Sequence, residues 1–268
     1  MNFDLRRIKN HEAVLVFMGV QEAVTEFVYG NQKILIEGYH TEDSIFDRIV
    51  TRETFYEDKL LEKARSLNLE GVYVDIGANI GNHSIYFSRF CKSTVTYSFE
   101  IDETIFALLK KNMERNCRED SFCLAEMGIL DKKGFVDISD TNHLNAGMTK
   151  IVNARGTQKE VDKLDNVLSD VENIALIKID VEGFELEIIQ GAQNILERQS
   201  PVIFAELATK KELKSFTSEI SKYGYTTDKM NYAGTPTYLF QKAPIPIAKR
   251  AKQSAKNLFY DMKKKLKR

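Results

Sequence analysis

The sequence contains no tryptophan, has three cysteines among 268 residues, and never runs to a long uncharged apolar stretch. Without tryptophan, any stacking on a ligand ring falls to Tyr or Phe. Cys91, Cys117 and Cys123 are odd in number and lack metal-ligand spacing, so they read as reduced structural thiols rather than a disulfide framework or a metal site. There is no basic-then-apolar leader and no run of about 18 apolar residues, so nothing points to secretion or a membrane span, and the cytoplasm is the expected compartment. No repeat or low-complexity block interrupts the chain before its last twenty residues. The net charge of −1 is unevenly placed: Lys249 to Arg268 holds nine Lys and Arg against Asp261, or +8, which leaves −9 on residues 1–248. That balance argues against a nucleic-acid partner for the main body. An apolar share of 43% allows a real core, and the length suits one large domain with appendages.

The stretch that organises the rest is Val72 to Gly81, VYVDIGANIG. Val72, Val74 and Ile76 are β-formers in a short apolar run, as expected of a strand covered on both faces, and Asp75 lies near its carboxyl end. Gly77 and Gly81 bracket Ala78-Asn79-Ile80, and glycine at such a turn allows positive φ and close approach of a ligand. A helix is expected over His83 to Cys91. The next strand, Thr94 to Glu100, ends in a carboxylate 19 residues after Gly81, where an acid can accept from paired ribose hydroxyls. The turn departs from the dinucleotide fingerprint: Asn79 stands where its middle glycine would be, and no third glycine follows. A pyrophosphate needs the N–H groups of a helix start, whereas an adenosyl ligand without phosphates needs only close approach and a carboxylate. The expected cofactor is S-adenosyl-L-methionine rather than NAD, held by Asp75, Gly77, Asn79, Gly81 and Glu100. For the glycines alone, a plain strand-to-helix turn is the competing reading.

VDIGANIGNHSIYF, YSFEID and LIKIDVEGFELEIIQGA, in that order, resemble the FkbM-type S-adenosylmethionine-dependent methyltransferases over residues 50–207. The resemblance implies an O-methyltransferase acting on a sugar or another small hydroxyl compound. It also implies a helix before the glycine turn that closes the cofactor site, with Tyr56 and Glu57 near it, and a segment over the site carrying an Asn-x-Gly such as Asn145 and Gly147.

The expected fold is α/β, a class I (Rossmann-like) methyltransferase sheet with helices on both faces. Residues 1–50 form an N-terminal cap, 51–243 the methyltransferase domain and 244–268 a basic tail. In the cap, Ala13 to Val20 reads equally as strand or helix, and the runs flanking Gly30-Asn31 read as a hairpin. Helices are expected over Thr54–Leu67, Glu103–Asn116, Asp162–Ser169, Phe184–Arg198 (interrupted by Gly191) and Lys211–Tyr223. Ser121–Met127, Ile174–Asp180 and the run from Pro201 to Glu206 are expected strands, followed by an antiparallel pair around Tyr225–Asp228 and Thr237–Phe240. Met127 is a candidate to flank the adenine ring, or else a core methionine. A short hairpin is expected at Gly134, and the polar segment Ser139 to Glu160 is read as the acceptor-binding loop.

The chemistry is expected where Lys178, Asp180, Glu182 and Glu185 cluster around Gly183 at the sheet edge that also holds Asp75, Glu100 and Glu206. A helix start explains acids such as Glu182 and Glu185. It does not explain Lys178 inside an apolar strand, which needs a carboxylate partner. Asp180 is the first choice of base and His143 the second, although a solvated loop histidine needs no role; Glu182 orients the acceptor and Lys178 holds Asp180 ionised. No metal ligand is assigned, and the carboxylates alone leave a divalent ion open. Two alternatives remain: a ribose methyltransferase of RNA, and a non-catalytic cofactor-binding protein. In the tail, Ala251, Ala255, Leu258, Met262 and Leu266 share one side and lysines cover much of the rest. That pattern fits contact with an anionic membrane at its inner face, or a solubilising tail.

Overall fold

The computed structural model describes residues 22–40, 45–138 and 157–242. The expected roles of Ala13–Val20, His143, Asn145, Gly147 and the basic tail lie outside those residues. The chain begins with strands β1 (Glu22–Tyr29) and β2 (Gln32–Tyr39), paired antiparallel about Gly30 and Asn31, whose φ values of 54° and 62° give the left-handed turn that a two-residue hairpin requires. Helices α1 (Ile45–Arg52) and α2 (Asp58–Ser66) follow, then β3 (Gly71–Ile76), α3 (Asn82–Phe90), β4 (Ser93–Glu100), α4 (Glu103–Asn116) and β5 (Phe122–Glu126). Next come the short strands β6 (Gly128–Leu130), β7 (Gly134–Ile138) and β8 (Thr157–Lys163), and the single turn α5 (Leu164–Val167). The chain continues through β9 (Ile174–Ile179), α6 (Glu185–Gln190), α7 (Gln193–Arg198), β10 (Val202–Glu206), α8 (Lys210–Ser221), β11 (Tyr225–Asn231) and β12 (Thr237–Lys242).

The central sheet has the order β11-β12-β10-β9-β3-β4-β5, and only β12 runs against its neighbours where pairing is seen. This is the expected doubly wound α/β fold of class I methyltransferases, with the order reversing beside β3, the place where folds of this kind bind ligands outside the strand ends. Alternate residues of the strands feed two cores. Val74, Ile76, Ile177, Ile179 and Ile203 pack with α6 to α8, while Tyr73, Leu176 and Phe204 pack toward α2, α3, α4 and the hairpin. Asn112 and Asn116, one turn apart on α4, fix the hairpin by bonding the backbone of Glu37 and Leu35 in β2. The hairpin is therefore held to α4 by side-chain amides.

Four expectations need correction. The helix expected from Thr54 starts at Asp58, because Glu57 takes a left-handed φ of 60° and sends its side chain elsewhere. No hairpin forms at Gly134: β7 pairs antiparallel with β8, and β6 pairs with the same strand in parallel, so β8 lies between them. Residues 157–163, read as the end of a loop and the start of a helix, are that middle strand, and the helix keeps only Leu164–Val167. The helix expected from Phe184 to Arg198 is two helices. At the break, a Cβ on Gly191 would sit 2.1 Å from the Leu130 carbonyl oxygen, and Asp165 caps α7 through the N–H groups of Asn194 and Ile195. The cysteines are free, and burial pushes the Cys91 thiol up to about 12, which fits a structural role. Among the described residues no helix is long and apolar enough to cross a membrane.

Candidate active site

Strand register sets the site. Asp75 of β3 stands opposite Ser98 of β4 on one side and Lys178 of β9 on the other. On the same face, Ser84 of α3 donates to Asp75 Oδ2 at 2.6 Å and accepts from Ser98 at 2.8 Å. Lys178, 2% exposed, lies with its Nζ 3.2 Å from Asp75 Oδ1 and 3.4 Å from Asp180 Oδ2, and donates to the Gly77 carbonyl at 2.8 Å. The expected carboxylate partners of the buried lysine are present. Burial alone would lower the Lys178 pKa, but the charges of Asp75 and Asp180 outweigh it and raise it. Asp75 is wholly buried.

The glycine turn has the backbone its residues allow. Gly77 takes a φ of 73°, and a Cβ there would lie 1.8 Å from the Asp180 carbonyl oxygen. Asn79 takes a φ of 50°, and Asn tolerates that region better than most residues. Its N–H donates to Glu100 Oε2, while Oε1 accepts from Ile101 and Asp102, all at 2.9 Å. Glu100 thus fastens the turn to the end of β4, and burial pushes its carboxyl up to about 7. Gly81, with a φ of 94°, precedes α3. Met127 is half-buried just past β5 and packs against the core beneath β3 and β4.

Asp180 follows β9 with 26% of its side chain exposed. Burial would raise its pKa, but the Lys178 charge outweighs this and holds Asp180 below the usual value. A hydrogen bond joins Asp180 to Glu206 at the end of β10, the neighbouring strand. Burial, that bond and the Asp180 charge push Glu206 up to about 9, so the pair shares one proton at neutral pH. Glu182 is exposed at a φ of 55°, close enough for its charge to add to the rise of Glu206. Glu185 is buried and accepts from the Gly183 N–H at 3.0 Å, so its role is to clasp the loop after Asp180.

Three features were not foreseen. One is the pairing of Glu206 with Asp180, since spacing along the chain carries no strand order. The second is the buried contact of His83 Nε2 with Glu57 Oε2 at 3.0 Å, which draws the Glu57 side chain away from capping α2. The third is Arg48 over the Tyr56 ring. Tyr56 and Glu57 do lie at this edge: the charges of Asp180 and Glu206 act on the Tyr56 phenol, and that of Glu57 acts on Lys178. Among the described residues no group of three or more His, Cys, Asp or Glu is arranged to hold a metal ion.

The chain is similar to several known methyltransferases. The chain is 30% identical over 173 residues to the hexuronic acid methyltransferase AglP of Haloferax volcanii, covering 63% of this chain and 68% of that one. It is 28% identical over 143 residues to Methyltransferase 1 of Beauveria bassiana, covering 44% of this chain but only 57% of that relative. Its fold is similar to the crystal structure of methyltransferase FkbM from Methylobacillus flagellatus KT, with a TM-score of 0.50 and 17% identity over 65% of this chain and 44% of that one. The family profile described as the methyltransferase FkbM domain matches residues 75–229, which hold the glycine turn, Glu100, the Lys178 ion pairs and the carboxyl pair; this chain belongs to the FkbM methyltransferase family.

Proposed function

We propose that this protein is an S-adenosyl-L-methionine-dependent O-methyltransferase acting on a hydroxyl of a saccharide or other small acceptor. The observation that carries the reading is Asp180, a partly exposed carboxylate held ionised by buried Lys178 at the open edge of the sheet. The residues of the turn fit the cofactor. Three N–H groups occupy Glu100, and a carboxylate has about four acceptor sites, so room remains for a ribose hydroxyl. Acids outnumber Lys178 around the site, which suits a cationic ligand and opposes a pyrophosphate. Gly77, Asn79 and Gly81 give it bare backbone, Asp75 braces the turn, and Met127 flanks the adenine.

The cofactor supplies a sulfonium methyl that is already electrophilic. The chain therefore has to align an acceptor oxygen and take its proton. A hydroxyl becomes strongly acidic as its oxygen gains the methyl, so a base of ordinary carboxylate strength suffices if it is ionised and within reach. Asp180 is that base, Lys178 keeps it charged, and Glu182 orients the acceptor. The hexuronic acid relative supports a saccharide acceptor. A ribose of RNA is disfavoured, because the described site is acidic. Incubating the protein with methyl-labelled cofactor and a panel of saccharides tests the reading: label should move to a product one methyl heavier. Cofactor binding without transfer to any hydroxyl compound would favour a non-catalytic role, and transfer to RNA alone would replace the acceptor class.

A further inference from the structure

We propose that Arg48 selects an acidic acceptor, a saccharide that carries a carboxylate or phosphate near the hydroxyl to be methylated; this rests on the reading of the site given above. α1 places the half-buried Arg48 with its guanidinium carbon 5.3 Å from the centre of the Tyr56 ring and Nη1 3.5 Å from the phenol oxygen. The Tyr56 backbone is fixed to α3: its N–H donates to Asn82 Oδ1 at 2.9 Å, and Asn82 Nδ2 donates back to the Tyr56 carbonyl at 3.0 Å.

The phenol oxygen lies beside the loop that joins β11 to β12. A Cβ on Gly234 would lie 3.6 Å from it. That loop ends at Thr237, which pairs with Glu206 at the end of β10, and the Leu207 N–H donates to the Pro236 carbonyl at 2.8 Å. The charges of Asp180 and Glu206 both reach the phenol. Arg48 therefore stands beside the base at the open edge, where Gly234 and Thr235 are exposed.

Among the described residues Arg48 has no carboxylate within ion-pair distance, whereas buried Lys178 has two. Nη1 is engaged with the phenol oxygen, but among the described residues no bond occupies Nε or Nη2, and that edge of the guanidinium matches the two oxygens of a carboxylate or phosphate. Elsewhere the site is acidic and would repel an anionic acceptor. Arg48 offsets that repulsion on the acceptor side, and the proton held by Glu206 reduces it further. A neutral sugar would leave the fork unused.

Calorimetry in the presence of S-adenosylhomocysteine tests this apart from turnover, with methyl glucuronoside, methyl glucoside and glucose 6-phosphate as probes. The wild-type protein should bind an acidic probe about tenfold or more tighter than the neutral one, on the scale of a charge-assisted fork. Tighter binding of the sugar phosphate than of the glucuronoside would support the proposal with phosphate as the anion. Arg48→Ala and Arg48→Gln should bring the acidic and neutral probes within about twofold of each other, and Arg48→Lys should restore part of the gap, since it keeps the charge without the fork. Thermal melting confirms that the variants are folded. Equal affinities in the wild type, no binding of any acidic probe, or an undiminished preference in Arg48→Ala and Arg48→Gln would overturn the proposal. An acidic preference that vanishes with Arg48 while no saccharide gains label would leave the anion site standing and remove the O-methyltransferase reading.

Discussion

Lys178 Nζ donates to the Gly77 carbonyl at 2.8 Å, so the lysine of β9 holds the turn that follows β3. The same ammonium separates the wholly buried Asp75 from the partly exposed Asp180. One side chain thereby sets the shape of the cofactor turn and the charge of the proposed base. Lys178→Met keeps the bulk but leaves Asp75 buried without its counter-ion, a change that costs about 3 to 5 kcal/mol when a buried pair loses one partner. Urea unfolding should show that loss, and adding Asp75→Asn should recover much of it. A Lys178→Met protein as stable as the wild type would show that the pair contributes nothing.

The carboxyl pair predicts a pH dependence of stability. Glu206 holds its proton to about pH 9 in the fold, against an ordinary 4.5 when unfolded. Between those values the folded chain binds the extra proton, so this group's contribution to stability is present below about 4.5, falls as pH rises and is lost by about 9. Glu206→Gln removes the titration. Its stability, measured by denaturant at a series of pH values, should decline less over that window than the wild type's, whereas parallel profiles would mean that Glu206 is ionised at neutral pH.

Glu100 predicts a pH dependence of cofactor binding. Burial holds its carboxyl at about 7, and a ribose hydroxyl donates better to the ionised form. Affinity for S-adenosylhomocysteine should therefore weaken as pH falls through about 7. Calorimetry across that range should show the trend in the wild type and a flatter profile in Glu100→Gln.

The hairpin predicts a purely structural effect. Asn112 donates from its amide to the carbonyls of Glu37 and Ile80 and accepts from the Glu37 N–H at 2.7 Å, all in a buried setting. Asn112→Ala leaves those backbone groups unpaired, at about 1 to 3 kcal/mol for a buried group left unsatisfied. Hydrogen exchange should rise in β1 and β2 more than in β3 or β9.

These relationships were legible in the sequence to different degrees. The turn, the acid at the end of β4 and the buried lysine could be read because each breaks a local pattern: a glycine pair after a strand, a carboxylate at a fixed distance, a cation among isoleucines. Glu206 was visible at the end of a strand, but its bond to Asp180 depends on β10 lying beside β9, which only the assembled sheet decides. The start of α2 was misread because Glu57 is a good helix former locally, while its contact with His83 is tertiary. β8 was hidden because a strand of Thr, Gln, Lys, Glu and Asp, with Val161 as its lone apolar residue, shows no hydrophobic alternation. Arg48 went unread because nothing in its own segment points to Tyr56.

The central claim, that Asp180 removes the acceptor proton, is tested most directly by comparing Asp180→Asn with the wild type in methyl transfer and in cofactor binding. The substitution keeps the shape of the side chain and removes its basicity. Turnover on the saccharide acceptor should fall by about 10² or more, while affinity for S-adenosyl-L-methionine stays within a few-fold. Turnover equal to that of the wild type would contradict the account and place the base elsewhere.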